Sequence, residues 1–335
     1  MSNQIRPILS LCIPTFNRSL YLKQALEALV TNKDFDNEVE IVISDNASTD
    51  DTEQIGKTYA DKYSNIKYFR NKENIRDSNF SLAMDRSTGL YAKLMNDNHV
   101  IEEDGLWYLK ERIKAHLKDK TPLFFTGVFF NHPKEDSCIC KSLEDFVVHL
   151  SFFVTAIHAF GAWRDDWDKV TDRTRYTHFM LNQDDWAYQI VENKKNCIIF
   201  SGTFYKYLEL TKSQRTGYNW FKVHVENYYA ILQPYIERGL ISESAMSLER
   251  RTYLKGLKLE LIQSYLCKKI FPEWGFDTKG TTKILWKHFK MEPFFYLYFL
   301  TMPIWGMYWI IRILFIRRIL ISLNLFNFRS KYSET

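Results

Sequence analysis

Tyr91-Ala92-Lys93-Leu94-Met95-Asn96-Asp97-Asn98-His99 reads as a buried strand that stops abruptly at short polar side chains. Its apolar half belongs in a sheet, and Asn96, Asp97 and Asn98 then stand at the carboxyl end. Open α/β sheets bind ligands at that end. Oxygens on short stems there suit a hard cation such as Mg²⁺ or Mn²⁺. Asn-Asp-Asn is also ordinary turn chemistry, so the neighbouring segments decide between the two.

Upstream, residues 8–13 form a short apolar run ended by Pro14, the pattern of a first buried parallel strand. Leu22, Ala25, Leu26, Leu29 and Val30 then recur at helical spacing. Residues 39–43 predict a second strand, followed by turn and cap residues 44–51. Asp50 with Glu53 resembles a capping arrangement for a helix through about Tyr63. Residues 66–69 predict a third strand, 79–86 a helix and 91–95 the fourth strand. Such alternation indicates an α/β domain with a mainly parallel sheet. Pro-Thr-Phe-Asn after the first strand disfavours a dinucleotide-binding Rossmann domain. Neither a Walker-type loop nor a Gly-x-Ser-x-Gly elbow is present, which argues against a P-loop phosphotransferase and an α/β-hydrolase.

At 335 residues the chain has room for one domain of about 200 residues and a smaller companion. It is 46% hydrophobic and 25% charged, a globular composition, and its net charge of +5 makes no case for nucleic acid. The five cysteines, Cys12, Cys138, Cys140, Cys197 and Cys267, are scattered and odd in number. Cys138-Ile139-Cys140 lacks a partner pair at a zinc spacing, so all five are expected to be reduced thiols of a cytosolic protein. The first residues carry no signal-peptide h-region, so the folded body is expected to stay in the cytoplasm.

Four motifs now stand in register: Ile-Pro-Thr-Phe-Asn-Arg (13–18), Val-Ile-Ser-Asp-Asn-Ala-Ser-Thr-Asp-Asp-Thr (42–52), Asn-Lys-Glu-Asn-Ile-Arg-Asp-Ser-Asn-Phe (71–80) and Gly-Leu-Tyr-Ala-Lys-Leu-Met-Asn-Asp-Asn (89–98). Together, over residues 8–210, they resemble family 2 glycosyltransferases with a GT-A fold. The resemblance is strongest to bacterial sugar transferases of O-antigen and capsule assembly, including the abequosyltransferase-like group. It implies that Pro14, Thr15, Asn17 and Arg18 lie along the base and ribose of a nucleotide-diphosphate sugar donor. It sets Asp45 against the base, where a carboxylate can accept from a ring N–H. Arg76 and Asn79 fall near the nucleotide, and many relatives carry glycine where this chain has Arg76. Asn96, Asp97 and Asn98 occupy the place of the family's metal-binding Asp-x-Asp. Both flanking positions are amides here, so Asn98 with Asp97 is expected to hold Mg²⁺ or Mn²⁺ weakly or only with the diphosphate; metal independence is the alternative. His99 is a further candidate ligand or a structural turn residue, and His158 a candidate site-lining residue.

Leu181-Asn182-Gln183-Asp184-Asp185-Trp186 leads acidic residues into a helix. That is common cap chemistry, but the resemblance sets the acceptor-deprotonating carboxylate here and implies inversion at the anomeric carbon. Asp185 is the expected base and Asp184 the close second. Residues 123–130 predict a strand and 152–161 a β-rich segment. Residues 212–219 are basic and turn-rich, a loop over the diphosphate or a linker, and 219–266 are mostly helical.

Residues 294–311 are uncharged and mostly apolar, interrupted by Pro303 and Gly306. A straight helix of that length spans about 27 Å, slightly under a bilayer core. Abundant Trp and Tyr, with basic residues flanking, favour the membrane interface over a true span or a soluble core helix. The expected organisation is therefore a GT-A domain at 1–210, a helical domain at 211–290 and a membrane-associating tail at 291–335. The expected function is inverting transfer from a nucleotide-diphosphate sugar to a polyprenyl-linked glycan at the cytoplasmic face of the bacterial inner membrane. The alternatives are an inactive scaffold of the same fold and a nucleotidyltransferase.

Overall fold

The computed structural model describes residues 6–127, 136–208, 210, 218–257 and 277–322. The chain divides into two compact units, one of Met1–Thr211 with Phe221–Glu249, the other of Lys212–Trp220 with Arg250–Thr335. The helical segment Phe221–Glu249 groups with the α/β unit. Residues 212–217, where a loop or linker was expected, lie outside the described residues.

In the first unit, β1 (Leu9–Thr15), β2 (Val39–Asp45), β3 (Ile66–Arg70) and β4 (Tyr91–Leu94) run parallel, and β8 (Gly161–Trp163) closes the edge antiparallel to β4, in the order β3-β2-β1-β4-β8. Every residue of β1, β2 and β4 is buried. That explains their continuous apolar runs: helices α1 (Ser19–Val30), α2 (Thr52–Lys62) and α3 (Ser78–Asp85) link the strands and cover them. The register aligns the strand ends. Thr15 pairs with Asp45, Asp45 with Arg70, and the Met95 N–H donates to Cys12 O one step beyond β4. Gly161 sits where a Cβ would fall 2.4 Å from the Tyr91 hydroxyl, so the β4–β8 pairing needs glycine there.

Further along, β5 (His99–Ile101) pairs with β10 (Tyr205–Tyr207), and β6 (Leu123–Phe125), β9 (Cys197–Phe200) and β7 (Ser137–Cys140) form a third sheet. Helix α4 (Gly105–Ala115) packs Leu106, Leu109 and Ile113 into the core shared with β1, β2 and α1. Residues 128–130 of the expected 123–130 strand lie outside the described residues. The β-rich reading of 152–161 was wrong. After α5 (Leu143–Leu150) come two 3₁₀ turns, Ser151–Thr155 and Ile157–Ala159, and only Gly161 onward is strand. Ser151 takes φ +49° and the N–H groups of Ala156, Ala159 and Phe160 bond three residues back, so β-propensity yields to the local turn. Short helix α6 (Arg164–Trp167) precedes α7 (Asn182–Lys194), against which α8 (Tyr228–Glu237) packs.

Helix α9 (Glu243–Gly256) runs across the boundary between the units. The second unit holds α10 (Thr281–Phe289) and α11 (Pro293–Ser322), with buried Glu292 accepting from Arg250 and Arg251. Pro303 lies inside α11 without ending it. Leu297, Leu300, Ile304, Met307 and Ile311 are exposed along it. Among the described residues no helix is long and apolar enough to cross a membrane.

Candidate active site

The carboxyl ends of β1 and β4 meet through one buried carboxylate. Asp97, 2% exposed, accepts from Thr15 Oγ1 at 2.9 Å and from Arg18 Nη1 at 2.9 Å. Burial raises its pKa, while Arg18 and Thr15 pull it back toward the ionised form. Arg18 ends the loop that opens α1, and its side chain is partly exposed.

The flanking amides are tied down differently. Asn96 Nδ2 lies 3.1 Å from His99 Nε2, and Asn98 Nδ2 donates to Leu208 O while its own carbonyl accepts from Leu208 N–H. Their Oδ1 atoms accept no hydrogen bond among the described residues, whereas both Asp97 oxygens are taken. Two neutral amide oxygens beside a carboxylate committed to a guanidinium are a poor donor set for Mg²⁺ or Mn²⁺. The trio by itself does not fit a tightly held metal.

Behind the trio sits an aromatic and basic cluster, whose His99 and His158 the sequence offered only singly. The His99 ring stacks on Tyr205 with centroids 4.1 Å apart and meets His158 and Tyr207 edge-on. His158 Nε2 bonds the Tyr205 hydroxyl at 2.5 Å, and the His158 carbonyl accepts from Lys93. All three basic side chains are buried, which moves Lys93 down to about 7 and His158 down to about 3, with His99 well below its ordinary value. His99 and His158 are therefore neutral packing residues at neutral pH, and each keeps a buried Nδ1 without a partner.

On the β2 side Asp45 is fully buried. It accepts from Ser48 N–H at 2.9 Å, the Tyr68 hydroxyl at 2.6 Å and Arg70 Nη1 at 2.9 Å. Three of its roughly four acceptor positions are occupied, so partly exposed Arg70 and Tyr68 present this corner. Pro14 is buried within β1. Asn17, at φ +51°, spends its Oδ1 on Thr49. Asp50 joins two helix starts, accepting from Ser19 N–H and Thr52 N–H. Asn79 is buried, bonding Ser44 and Asn71 in a network that also holds Asn46 and Arg86. Arg76 takes φ +53°, the conformation glycine adopts freely, and its side chain is exposed.

The start of α7 lies on the same side. Thr177 Oγ1 accepts from Asn182 Nδ2 at 2.9 Å and lies 3.3 Å from Ser78 Oγ at the start of α3. The acidic pair then splits. Asp185 is clamped by Arg175 through both oxygens, by Gln189 Nε2 at 2.7 Å and by the Tyr235 hydroxyl at 2.9 Å. Asp184 is fully buried and neither oxygen has a partner; burial and the adjacent Asp185 charge raise its pKa far above the carboxylate range. Asn182 Oδ1 and Gln183 Oε1 are likewise buried without partners. Three consecutive residues therefore offer unused acceptor oxygens to hydroxyl donors. The sequence signalled the acidic pair but not Arg175 or Tyr235, which reach Asp185 from other elements.

Residues 10–161 match the family model described as Glycosyl transferase family 2. Abequosyltransferase RfbV of Salmonella typhimurium is 34% identical over 119 residues, 34% of this chain and 36% of that one. The GalNAc(5)-diNAcBac-PP-undecaprenol beta-1,3-glucosyltransferase of Campylobacter jejuni is 30% identical over 108 residues, 32% and 34% of the two chains. The aligned part thus spans about a third of the length of these curated relatives. The fold resembles S. aureus TarS 1-349, also solved in complex with UDP-GlcNAc, with a TM-score of 0.51 and 16% identity over 81% of this chain and 78% of that one. The first unit is of the GT-A type.

Proposed function

We propose that the family 2 glycosyl transferase domain at residues 10–161 makes this chain a sugar transferase of bacterial surface-polysaccharide assembly. Its donor is a nucleotide-diphosphate sugar and its acceptor a glycan, polyprenyl-linked in this reading. The observation that carries the proposal is the Thr15–Asp97–Arg18 linkage across the ends of β1 and β4. It supplies a fixed floor with a guanidinium that uses one nitrogen on Asp97 and keeps other donors for a diphosphate. Asp45, through Tyr68 and Arg70, forms the base corner; Pro14 and Asn17 shape the first loop, and Asn79 holds the Asn46 loop below exposed Arg76.

Chemically, the acceptor hydroxyl oxygen attacks the anomeric carbon as the bond from that carbon to the diphosphate oxygen breaks. The bonding pair leaves with the diphosphate, and the configuration inverts. The hydroxyl proton goes to a carboxylate of the α7 pair. We assign that role to Asp184 and not, as the sequence suggested, to Asp185, whose oxygens are already used. Burial and the adjacent Asp185 charge raise the pKa of Asp184, which makes its carboxylate a stronger proton acceptor once it ionises on opening of the site. Asn182 Oδ1, Gln183 Oε1 and Asp184 together suit an acceptor sugar; because they are closed to solvent, the turn before α7 must open to admit it. The exposed apolar side chains of α11 support attachment to a membrane surface, in this reading the cytoplasmic face of the inner membrane.

The test is incubation with UDP-, GDP-, CDP- and dTDP-sugars, with and without a polyprenyl-diphosphate glycan and without added Mg²⁺ or Mn²⁺. Acceptor-dependent release of nucleoside diphosphate is expected. Absence of release with every pair, metal added or not, sinks the transferase reading, and pyrophosphate exchange would favour a nucleotidyltransferase. Co-sedimentation with anionic vesicles checks the tail.

A further inference from the structure

Outside this site, three metal-ligating side chains converge where the third sheet meets α5, with a fourth on the adjoining strand. Cys138 and Cys140 stand two apart on β7 and so project from the same face. Cys140 is directly opposite Cys197 across the β7–β9 pairing. His149, in the last turn of α5, completes the group: the ligand atoms of Cys138, Cys140 and His149 all lie within 4.8 Å of one another. Cys140 and Cys197 are wholly buried, and none of the three cysteines is in a disulfide.

The histidine is oriented for the purpose. His149 Nδ1 lies 2.8 Å from the Asp145 carbonyl oxygen. A carbonyl can only accept, so Nδ1 carries the hydrogen and Nε2 is the ring atom left for the cysteines. A ligating histidine is usually held by such a bond from its other nitrogen to a carbonyl. The helix is itself anchored, since Ser142 Oγ caps it by accepting from Asp145 N–H.

We propose that Cys138, Cys140, His149 and Cys197 bind one Zn²⁺ ion in a closed tetrahedral site. Three sulfurs and an imidazole are the soft and borderline donors zinc selects. Ligand atoms about 2.0–2.3 Å from the metal stand roughly 3.5 Å apart, close to the spacing of Cys138, Cys140 and His149, and Cys197, opposite Cys140, is the neighbouring strand's candidate for the fourth position. Each thiol loses its proton to solvent as its sulfur bonds the metal. With four protein ligands no position stays open for water or substrate, and the ion is structural. It staples β7 to β9 and both to α5. The spacing C-x-C hid it in the sequence, because the other two ligands come from a helix and a separate strand.

The full chain, purified without chelator or added metal, should carry about one zinc by elemental analysis. Removing the zinc should lower the melting temperature, and adding zinc back should restore it. Titrating the metal-free chain with Co²⁺ should give thiolate-to-cobalt charge transfer and the intense visible bands of a tetrahedral centre. His149→Ala should weaken Co²⁺ binding by about 100-fold or more, and Cys197→Ser should remove one thiolate's share of the charge-transfer intensity. The wild-type titration keeps the proposal testable should either variant fail to fold. The idea falls if the purified chain holds no zinc and the reduced metal-free chain gives no thiolate–cobalt band. It falls equally if alkylation and mass analysis of the unreduced chain find Cys140 joined to Cys197, or if His149→Ala binds Co²⁺ as tightly as the parent. None of these readouts depends on sugar transfer.

Discussion

Asp97 and Asp184 are both buried carboxylates at the strand-end face, yet their surroundings are opposite. Asp97 has one oxygen on a hydroxyl and the other on a guanidinium, while Asp184 has nothing on either. A satisfied carboxylate fixes geometry, and an unsatisfied one is kept at a cost in stability and is free to take a proton. Under the proposed function the donor side is a set platform and the acceptor side a poised group, a division of labour expected when one substrate must be held and the other activated.

Replacing Asp184 with Asn separates these roles most sharply. Turnover should fall by roughly 10²–10⁴-fold, the usual contribution of a positioned base, with donor binding by calorimetry unchanged. Near-normal turnover would remove Asp184 from the mechanism. Asp185→Asn should act on stability first. It leaves the Arg175 guanidinium short of its partner and should cost about 2 kcal/mol in denaturant unfolding. That is below the roughly 3–5 kcal/mol of a fully buried pair, because Arg175 is 36% exposed. A variant as stable as the parent would mean that Asp185 is not a clamp.

The comparison also predicts a pH signature. Asp184 is protonated in the folded state over a range where the unfolded chain has already ionised it. The folded state then binds more protons, so this residue lowers stability as pH rises from about 4 toward its folded pKa. Asp184→Asn should gain stability over wild type progressively across that window and not below it, as measured by melting temperature against pH. A gap independent of pH would contradict the raised pKa. The smallest effect is expected from Thr15→Val, which keeps shape and removes one hydrogen bond to Asp97. Donor affinity should drop about fivefold, equivalent to about 1 kcal/mol, with unchanged turnover at saturation. Unaltered affinity would dissociate this platform from the donor.

Much of the first half was readable because its signals are local. Fully buried strands need continuous apolar runs, and β1, β2 and β4 have them within two residues of the expected bounds. Asp184 and Asp185 were visible as an acidic pair opening a helix, and α7 begins at Asn182. Choosing between them was not possible from neighbours in sequence, because Tyr235 lies fifty residues from Asp185. Residues 152–161 misled because aromatic and β-branched side chains favour strand wherever a partner strand is available, and there the chain turns back on itself. Cys138 and Cys140 were likewise visible as a pair without their companions.

By itself the sequence determined the alternating α/β order, the polar strand ends and the resemblance to family 2 transferases. These follow from hydrophobic periodicity and from short motifs whose residues act together within one loop. Tertiary structure alone decided which groups are already spent. It took Asp45 and Asn79 into buried networks, tied Asp97 to Arg18, left Asp184 bare, and brought His149 and Cys197 to Cys138 and Cys140. The reason is physical: a side chain's availability depends on what else is buried with it, and burial is set by elements distant in the chain.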